Sequence, residues 1–149
     1  MKHHITGKAS ITIDAPASAV WEALTNPQII KQYFFGTNAS SDWNVGSPIT
    51  FSGEWEGKSY QDKGTILAKK PNKLFRYTYW SSMSGIEDLP ENYVTITYEL
   101  SEKKNKTTLT ITQEHIPDQK MKEHSEGNWK KVLASLKQLL ENELIEADE

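Results

Sequence analysis

Near residue 117 the periodicity of the chain changes once, and that change constrains the fold more than any other feature. Upstream, the clearest segments repeat every second residue. In Tyr93–Leu100, the residues Val94, Ile96, Tyr98 and Leu100 oppose Thr95, Thr97 and Glu99; in Thr107–Glu114, Leu109 and Ile111 oppose Thr108, Thr110 and Thr112. Such alternation marks strands with one buried and one wet face, and β-branched threonine suits the wet face of an antiparallel sheet. After Ile116-Pro117 the apolar residues recur at helical spacing. Met121, Ser125, Trp129, Val132, Leu133, Leu136, Leu139 and Leu140 form one stripe, with Lys130, Lys131, Lys137, Glu141 and Glu143 off it. Asp118 is placed to cap this helix. A helix of about 25 residues, from about Asp118 to Leu140, is about 37 Å long. A sheet must lie along it or curl around it to bury that stripe.

The rest of the chain supplies that sheet. Ile5, Ile11 and Ile13 predict a first strand up to Asp14. Pro16 suits a first helical turn, Val20, Trp21, Ala23 and Leu24 follow at helical spacing, and Thr25-Asn26-Pro27 stops the helix. A second short helix is predicted over Gln28–Tyr33, before Tyr33-Phe34-Phe35-Gly36. Residues 37–48, rich in Asn, Ser, Asp and Gly around Trp43, predict a loop. Beyond it, Ile49, Phe51 and Trp55 share a strand face up to a turn at Glu56-Gly57. Ile66 and Ala68 share a face of the next strand, which ends at Pro71-Asn72. Phe75, Tyr77 and Tyr79 oppose Leu74, Arg76, Thr78 and Trp80, ahead of a loop over Ser81–Asn92; Lys103–Lys106 is the last turn. The expected architecture is α+β: a curved antiparallel sheet of about six strands around a long C-terminal helix, two short helices after the first strand, and an apolar cavity between sheet and helix. One domain is expected over residues 1–149, with its core over about residues 5–144.

Several function classes lack their residues. The chain has no cysteine, so disulfides, thiolate nucleophiles and Cys-ligated metals are out. Net charge is −3, and the lysine clusters at 69, 70 and 73 and at 103, 104 and 106 read as solvated hairpin tips, so nucleic acid is not an expected partner. No membrane span and no secretory segment is read, and the cytoplasm is the expected compartment. His115 and His124 are not at helical i, i+4 spacing, and neither Glu114 nor Glu123 completes a zinc pattern; no metal and no cofactor is expected. No phosphate-cradling glycine motif or nucleophile elbow is present. Glu54, Glu56 and Glu99 lie near aromatics, but alternation puts Glu54 and Glu99 on the polar face. Arg76, the single arginine, shares a face with Thr78. Aromatic residues are abundant instead: five Trp, six Tyr and four Phe. Trp43, Phe51, Trp55, Tyr60, Tyr77, Tyr79, Trp80, Tyr98 and Trp129, with Leu133, are the candidate ligand-binding residues, since rings with polar tips suit flat, partly polar molecules. The competing reading is that most of these rings fill the core. Trp21 reads as a fold anchor.

The segment Ile13-Asp14-Ala15-Pro16, followed by Val20-Trp21-Glu22-Ala23-Leu24-Thr25-Asn26-Pro27, resembles the opening of START-like helix-grip proteins of the SRPBCC superfamily. It is most similar to the branch of the activator of heat-shock protein 90 ATPase homologue. Tyr33-Phe34 and the helical Gly127, Trp129, Leu133 and Leu136 resemble the same branch, and the likeness runs from about Ile11 to Leu140. Tyr33 stands where the family often has Trp, and Asn128 separates a Gly and a Trp that are often adjacent. The resemblance implies a cavity between sheet and helix and no cofactor common to all members. Relatives bind varied hydrophobic molecules, some are cyclases, and the eukaryotic namesake stimulates a chaperone. The leading expectation is therefore non-enzymatic binding of a small hydrophobic or aromatic molecule. The alternatives are an interaction module with a chaperone as partner, and a cyclase- or hydrolase-type enzyme using the same cavity.

Overall fold

The computed structural model describes residues 5–34, 36–82 and 85–147. In it the chain runs β1 (Ile5–Ile13), α1 (Ala17–Thr25), α2 (Pro27–Tyr33), β2 (Asn38–Ser41), β3 (Pro48–Trp55), β4 (Lys58–Lys70), β5 (Leu74–Tyr79), a 3-10 turn at Pro90–Asn92, β6 (Val94–Lys103), β7 (Lys106–Ile116) and α3 (Gln119–Ala147). The strands form one seven-stranded sheet in the order β1-β7-β6-β5-β4-β3-β2, and every pairing is antiparallel. The first strand thus sits beside the last, and α1 and α2 carry the chain across to the opposite edge.

Local chemistry sets the boundaries. Asn26 ends α1 in extended conformation, and its side-chain oxygen accepts the Gln28 N–H at the start of α2. The Tyr33 hydroxyl donates to the Ala23 carbonyl (2.9 Å), fastening α2 onto α1. The Asp118 carboxylate accepts the Met121 N–H (2.8 Å), the capping role expected of it. On α3, Trp129, Val132, Leu133, Leu136 and Leu140 are buried, while Met121, Ser125 and Leu139 are half-buried. Each such buried apolar side chain contributes on the order of 1.5–3 kcal/mol. The helix packs on β1 and β7 and meets α1 and α2. On the outer face, hydroxyls pair across β1 and β7, Ser10 with Thr110 (3.2 Å) and Thr12 with Thr108 (3.0 Å).

Strand β1 is an edge strand, and α3 occupies its free side. Glu126 accepts the Lys8 N–H and Glu141 accepts the Asp14 N–H, both at 2.9 Å, while the Lys137 ammonium donates to the Thr12 carbonyl at 2.9 Å. These three groups alternate with those that face β7, so helix side chains stand in for a missing strand.

Three details correct the reading by pattern. Among the described residues there are seven strands rather than about six, because Asn38–Ser41 lies in the expected loop and pairs with β3, Ala39 opposite Phe51. A bulge between Ile66 and Ala68 sets Ile66 opposite Tyr77 but Ala68 opposite Arg76, so these two do not share a face, and Leu67 is exposed. The last helix continues past Leu140 to Ala147. Strands β4 and β5 also approach unusually closely: a Cβ at Gly64 would stand 1.6 Å from the Thr78 carbonyl oxygen. Only glycine fits there.

Candidate functional site

The concave face of β3 to β6 presents aromatic rings to α2 and α3. Phe75, Tyr77 and Tyr98 pack together at centroid distances of 5.6 to 6.1 Å. Trp43 and Trp21 each lie 6.1 Å from Phe75. Trp129 meets Tyr98 (6.1 Å) and Phe34 (5.9 Å) edge-on, and Phe51 bridges Phe34, Tyr77 and Tyr79 at 6.4, 5.8 and 5.9 Å. The result is one connected sheet of rings in tilted and T-shaped contacts, with Phe34 and Phe51 stacked, geometries ring quadrupoles allow. A cavity of about 10 Å³ remains among Leu24, Ile30, Tyr33, Phe34, Trp43, Ile49, Phe51, Phe75, Tyr77 and Tyr98. That is room for about one water.

Of the residues singled out in the sequence, Trp43, Phe51, Tyr77 and Tyr98 line this cavity. Trp129 backs it through Phe34 and Tyr98 and donates its indole N–H to the Gln113 side-chain oxygen (2.8 Å). Leu133 is buried in the core of α3. Tyr79 and Tyr60 lie beyond Phe51, toward the far end of β4: Tyr79 contacts Phe51, and the Tyr60 hydroxyl shares a 2.6 Å hydrogen bond with Thr37. Trp80 is separate; its N–H donates to the Ile86 carbonyl and the Lys63 ammonium sits 5.9 Å from its ring. The Trp55 side chain lies outside the described residues. Phe34, Tyr33 and Phe75 belong to the lining without having been singled out, although Phe75 shares the strand face of Tyr77 and Tyr79. The other candidates lie outside it. Glu54, Glu56, Glu99, His115 and His124 are exposed, and Arg76 donates to the Thr97 hydroxyl (3.0 Å).

The polar tips inside are neutral phenols. The Tyr77 and Tyr98 hydroxyls bond each other at 2.6 Å. Burial raises Tyr77 well above the ordinary phenol value, and the Tyr98 neighbour adds to it. Burial likewise raises Tyr98 and Tyr33. Tyr79 is raised by burial and then by the carboxylate of Asp62. Asp62, which no sequence signal picked out, is 6% exposed. It accepts the Tyr79 hydroxyl (2.5 Å), the Ser82 N–H (2.9 Å) and the Ser82 hydroxyl (3.3 Å). Among the described residues, no group of three or more His, Asp or Glu side chains could hold a metal ion, and no helix is long and apolar enough to cross a membrane.

A curved antiparallel sheet gripping one long C-terminal helix over an aromatic interior defines the START-like helix-grip class. Within it, the family described as Activator of Hsp90 ATPase homolog 1-like protein matches residues 14–141, and the chain belongs to that family. The solution structure of a Cytophaga hutchinsonii protein is 43% identical, with a TM-score of 0.82, over 97% of this chain and 99% of that one. Two others share the fold. The Aha1 dimer from Colwellia psychrerythraea is 20% identical (TM-score 0.70), over 89% of this chain and 93% of that one. An HSP90 activator from Plasmodium falciparum is 19% identical (TM-score 0.71), over 91% and 96%. No curated protein matches the chain.

Proposed function

We propose that this protein is a non-enzymatic binder of a small, flat, hydrophobic molecule, taken up in the aromatic seam between the sheet and the α1–α2 segment. The void is lined by Leu24, Ile30 and Tyr33 on that side and by no residue of α3, so it is not the sheet-to-C-terminal-helix cavity expected from the sequence. One observation carries the reading: Trp43, a bulky aromatic, is held at φ 62° at the edge of the seam. Such a residue in left-handed conformation costs on the order of 1–3 kcal/mol, and strain of this kind gathers at ligand clamps. The loop fixes it there, with the Trp43 N–H on the Ser41 hydroxyl (2.9 Å) and the Lys69 ammonium on the Trp43 carbonyl (2.8 Å). Trp43 and Phe34 are half-buried and lie outside helices and strands, whereas Tyr77, Phe75 and Tyr98 behind them are buried in strands. A ligand larger than the 10 Å³ void therefore enters by displacing these two rings, with no sheet hydrogen bond broken.

The test is a thermal-shift and tryptophan-fluorescence screen of flat aromatic and lipid-like compounds, with nucleotides and divalent metals as controls. At 100 times its dissociation constant a ligand adds about 2.7 kcal/mol, a rise in Tm of about 5–10 °C for a chain of this size. Trp43→Ala should weaken binding and remove part of the quench. A full panel without a shift sinks the reading. A second reading, a chaperone-ATPase-activator-like interaction module, is favoured by the filled interior, which needs no guest for its rings to be useful as core. Stimulation of the host's Hsp90-type ATPase in a titration, with no small-molecule shift, would select it.

A further inference from the structure

We propose that Asp62 is the anchor for a cationic head on the ligand, so that the molecule taken up is an aromatic or hydrophobic amine. This inference rests on the seam being a ligand site. Its ground is a charge imbalance. Asp62 pairs in register with Phe51, which lines the cavity, and Phe51 contacts the Tyr79 ring whose hydroxyl donates to Asp62. The carboxylate therefore sits one ring beyond the void. It is 6% exposed, and its donors among the described residues, the Tyr79 hydroxyl and the Ser82 N–H and hydroxyl, are all neutral. Buried carboxylates are ordinarily paired with a cation. Among the described residues none forms an ion pair with Asp62, and the adjacent Lys63 turns away to pair with Asp88.

If pinning Ser82 and Tyr79 were its whole task, asparagine would serve without the charge: its oxygen would accept from Ser82 and its amide would donate to the Tyr79 oxygen. What asparagine lacks is an attraction for a positive group. Phe51, in register with Asp62, and Tyr79, bonded to it, put two aromatic rings near that position, and ring quadrupoles attract an ammonium. The geometry suits an amine on a short stem, its ring replacing Phe34 against Phe51 and its ammonium replacing neutral donors on the carboxylate.

The test compares tryptamine with tryptophol, which differ in the amine and hydroxyl at the end of one shared skeleton, by isothermal titration calorimetry at neutral pH and low salt. Tryptamine should bind wild-type protein at least about tenfold more tightly, the size of one charge-assisted hydrogen bond. Asp62→Asn should abolish the preference, and Asp88→Asn, which removes an exposed carboxylate, should preserve it. Equal binding of the two compounds to wild-type protein overturns the anchor and leaves the seam as a binding site. Binding of neither overturns both. A preference that survives in Asp62→Asn also overturns the anchor. Since the primary comparison uses wild-type protein, it stands even if Asp62→Asn fails to fold.

Discussion

The same methyl group, added at two glycines, should move stability in opposite directions. At Gly64 the new Cβ would meet the Thr78 carbonyl oxygen at 1.6 Å and its carbon at 2.5 Å, where 3.0 Å is the practical floor. The obstacle is backbone, so no rotamer relieves it, and β4 and β5 must separate. Three hydrogen bonds hold them at this point: Thr65 N–H to the Thr78 hydroxyl (2.9 Å), Lys63 N–H to the Trp80 carbonyl (3.1 Å) and Trp80 N–H to the Lys63 carbonyl (2.8 Å). Overpacking costs about 1–3 kcal/mol and each hydrogen bond about 1, so with partial relaxation Gly64→Ala should lose about 3–5 kcal/mol. In Tm that is a fall of about 6–20 °C. Gly127 lies inside α3 with nothing within 4 Å of its notional Cβ. There alanine should add about 0.5–1 kcal/mol by helix propensity. Urea unfolding followed by circular dichroism reads both. A Gly64→Ala midpoint within about 0.5 kcal/mol of wild type would refute the close approach of β4 and β5.

Three further outcomes are expected. Tyr77→Phe and Tyr98→Phe should each cost about 1–3 kcal/mol by orphaning the other's buried hydroxyl, while the double variant costs less than the sum; strict additivity in the cycle would mean the 2.6 Å bond is absent. Trp129→Ala should cost about 3–5 kcal/mol, and a loss nearer about 1–2, measured by urea unfolding, would mean the ring walls open space. Alkali should destabilise the fold: Tyr33, Tyr77, Tyr79 and Tyr98 are raised above 10.0 by burial, and Tyr93 is raised to about 12 by burial and the hydrogen bond to Asp88. A raised folded value means stability that is full below about pH 10 and lost as pH rises above it, so the urea midpoint should fall between about pH 9 and pH 11. A native tyrosinate spectrum showing every tyrosine ionised near pH 10.5 would contradict the burial.

The last helix was legible because its stripe repeats over many turns and its cap, Asp118, is a side chain with one good use there. Its end was not, because Glu141 and Glu143 favour helix as readily as they favour solvent. Strand β2 was hidden for a different reason. Four residues are too few to display alternation, and Asn38, Ser40 and Ser41 read as loop; they become strand only by pairing with β3. The Ile66–Ala68 bulge is likewise a property of pairing. At the candidate site, the inward set Phe75, Tyr77 and Tyr79 follows from period two, but the void does not. Free volume depends on sheet curvature and on how Phe34 and Trp43 turn, and spacing carries neither. Asp62 was missed because a carboxylate at an inward position reads as an interruption of the pattern, and only the register with Phe51 assigns it a place.

The flank of α3 that covers β1 has a bearing on self-association. An unpaired strand edge is a template for another chain. Here Glu126 and Glu141 occupy it as carboxylates, both held below the usual value: Glu126 first by the Lys8 N–H and then by Lys122, Glu141 first by the Lys137 ammonium and then by the Asp14 N–H. A depressed value places their contribution above the ordinary carboxylate range and removes it as pH falls through the folded value. Protonation weakens both acceptors while leaving the β-ladder of β1 and β7 in place. The opposite edge, β2, offers a newcomer only four residues. Acid should therefore drive strand-paired association that grows through β1, visible as light scattering at about pH 3 before sheet signal is lost.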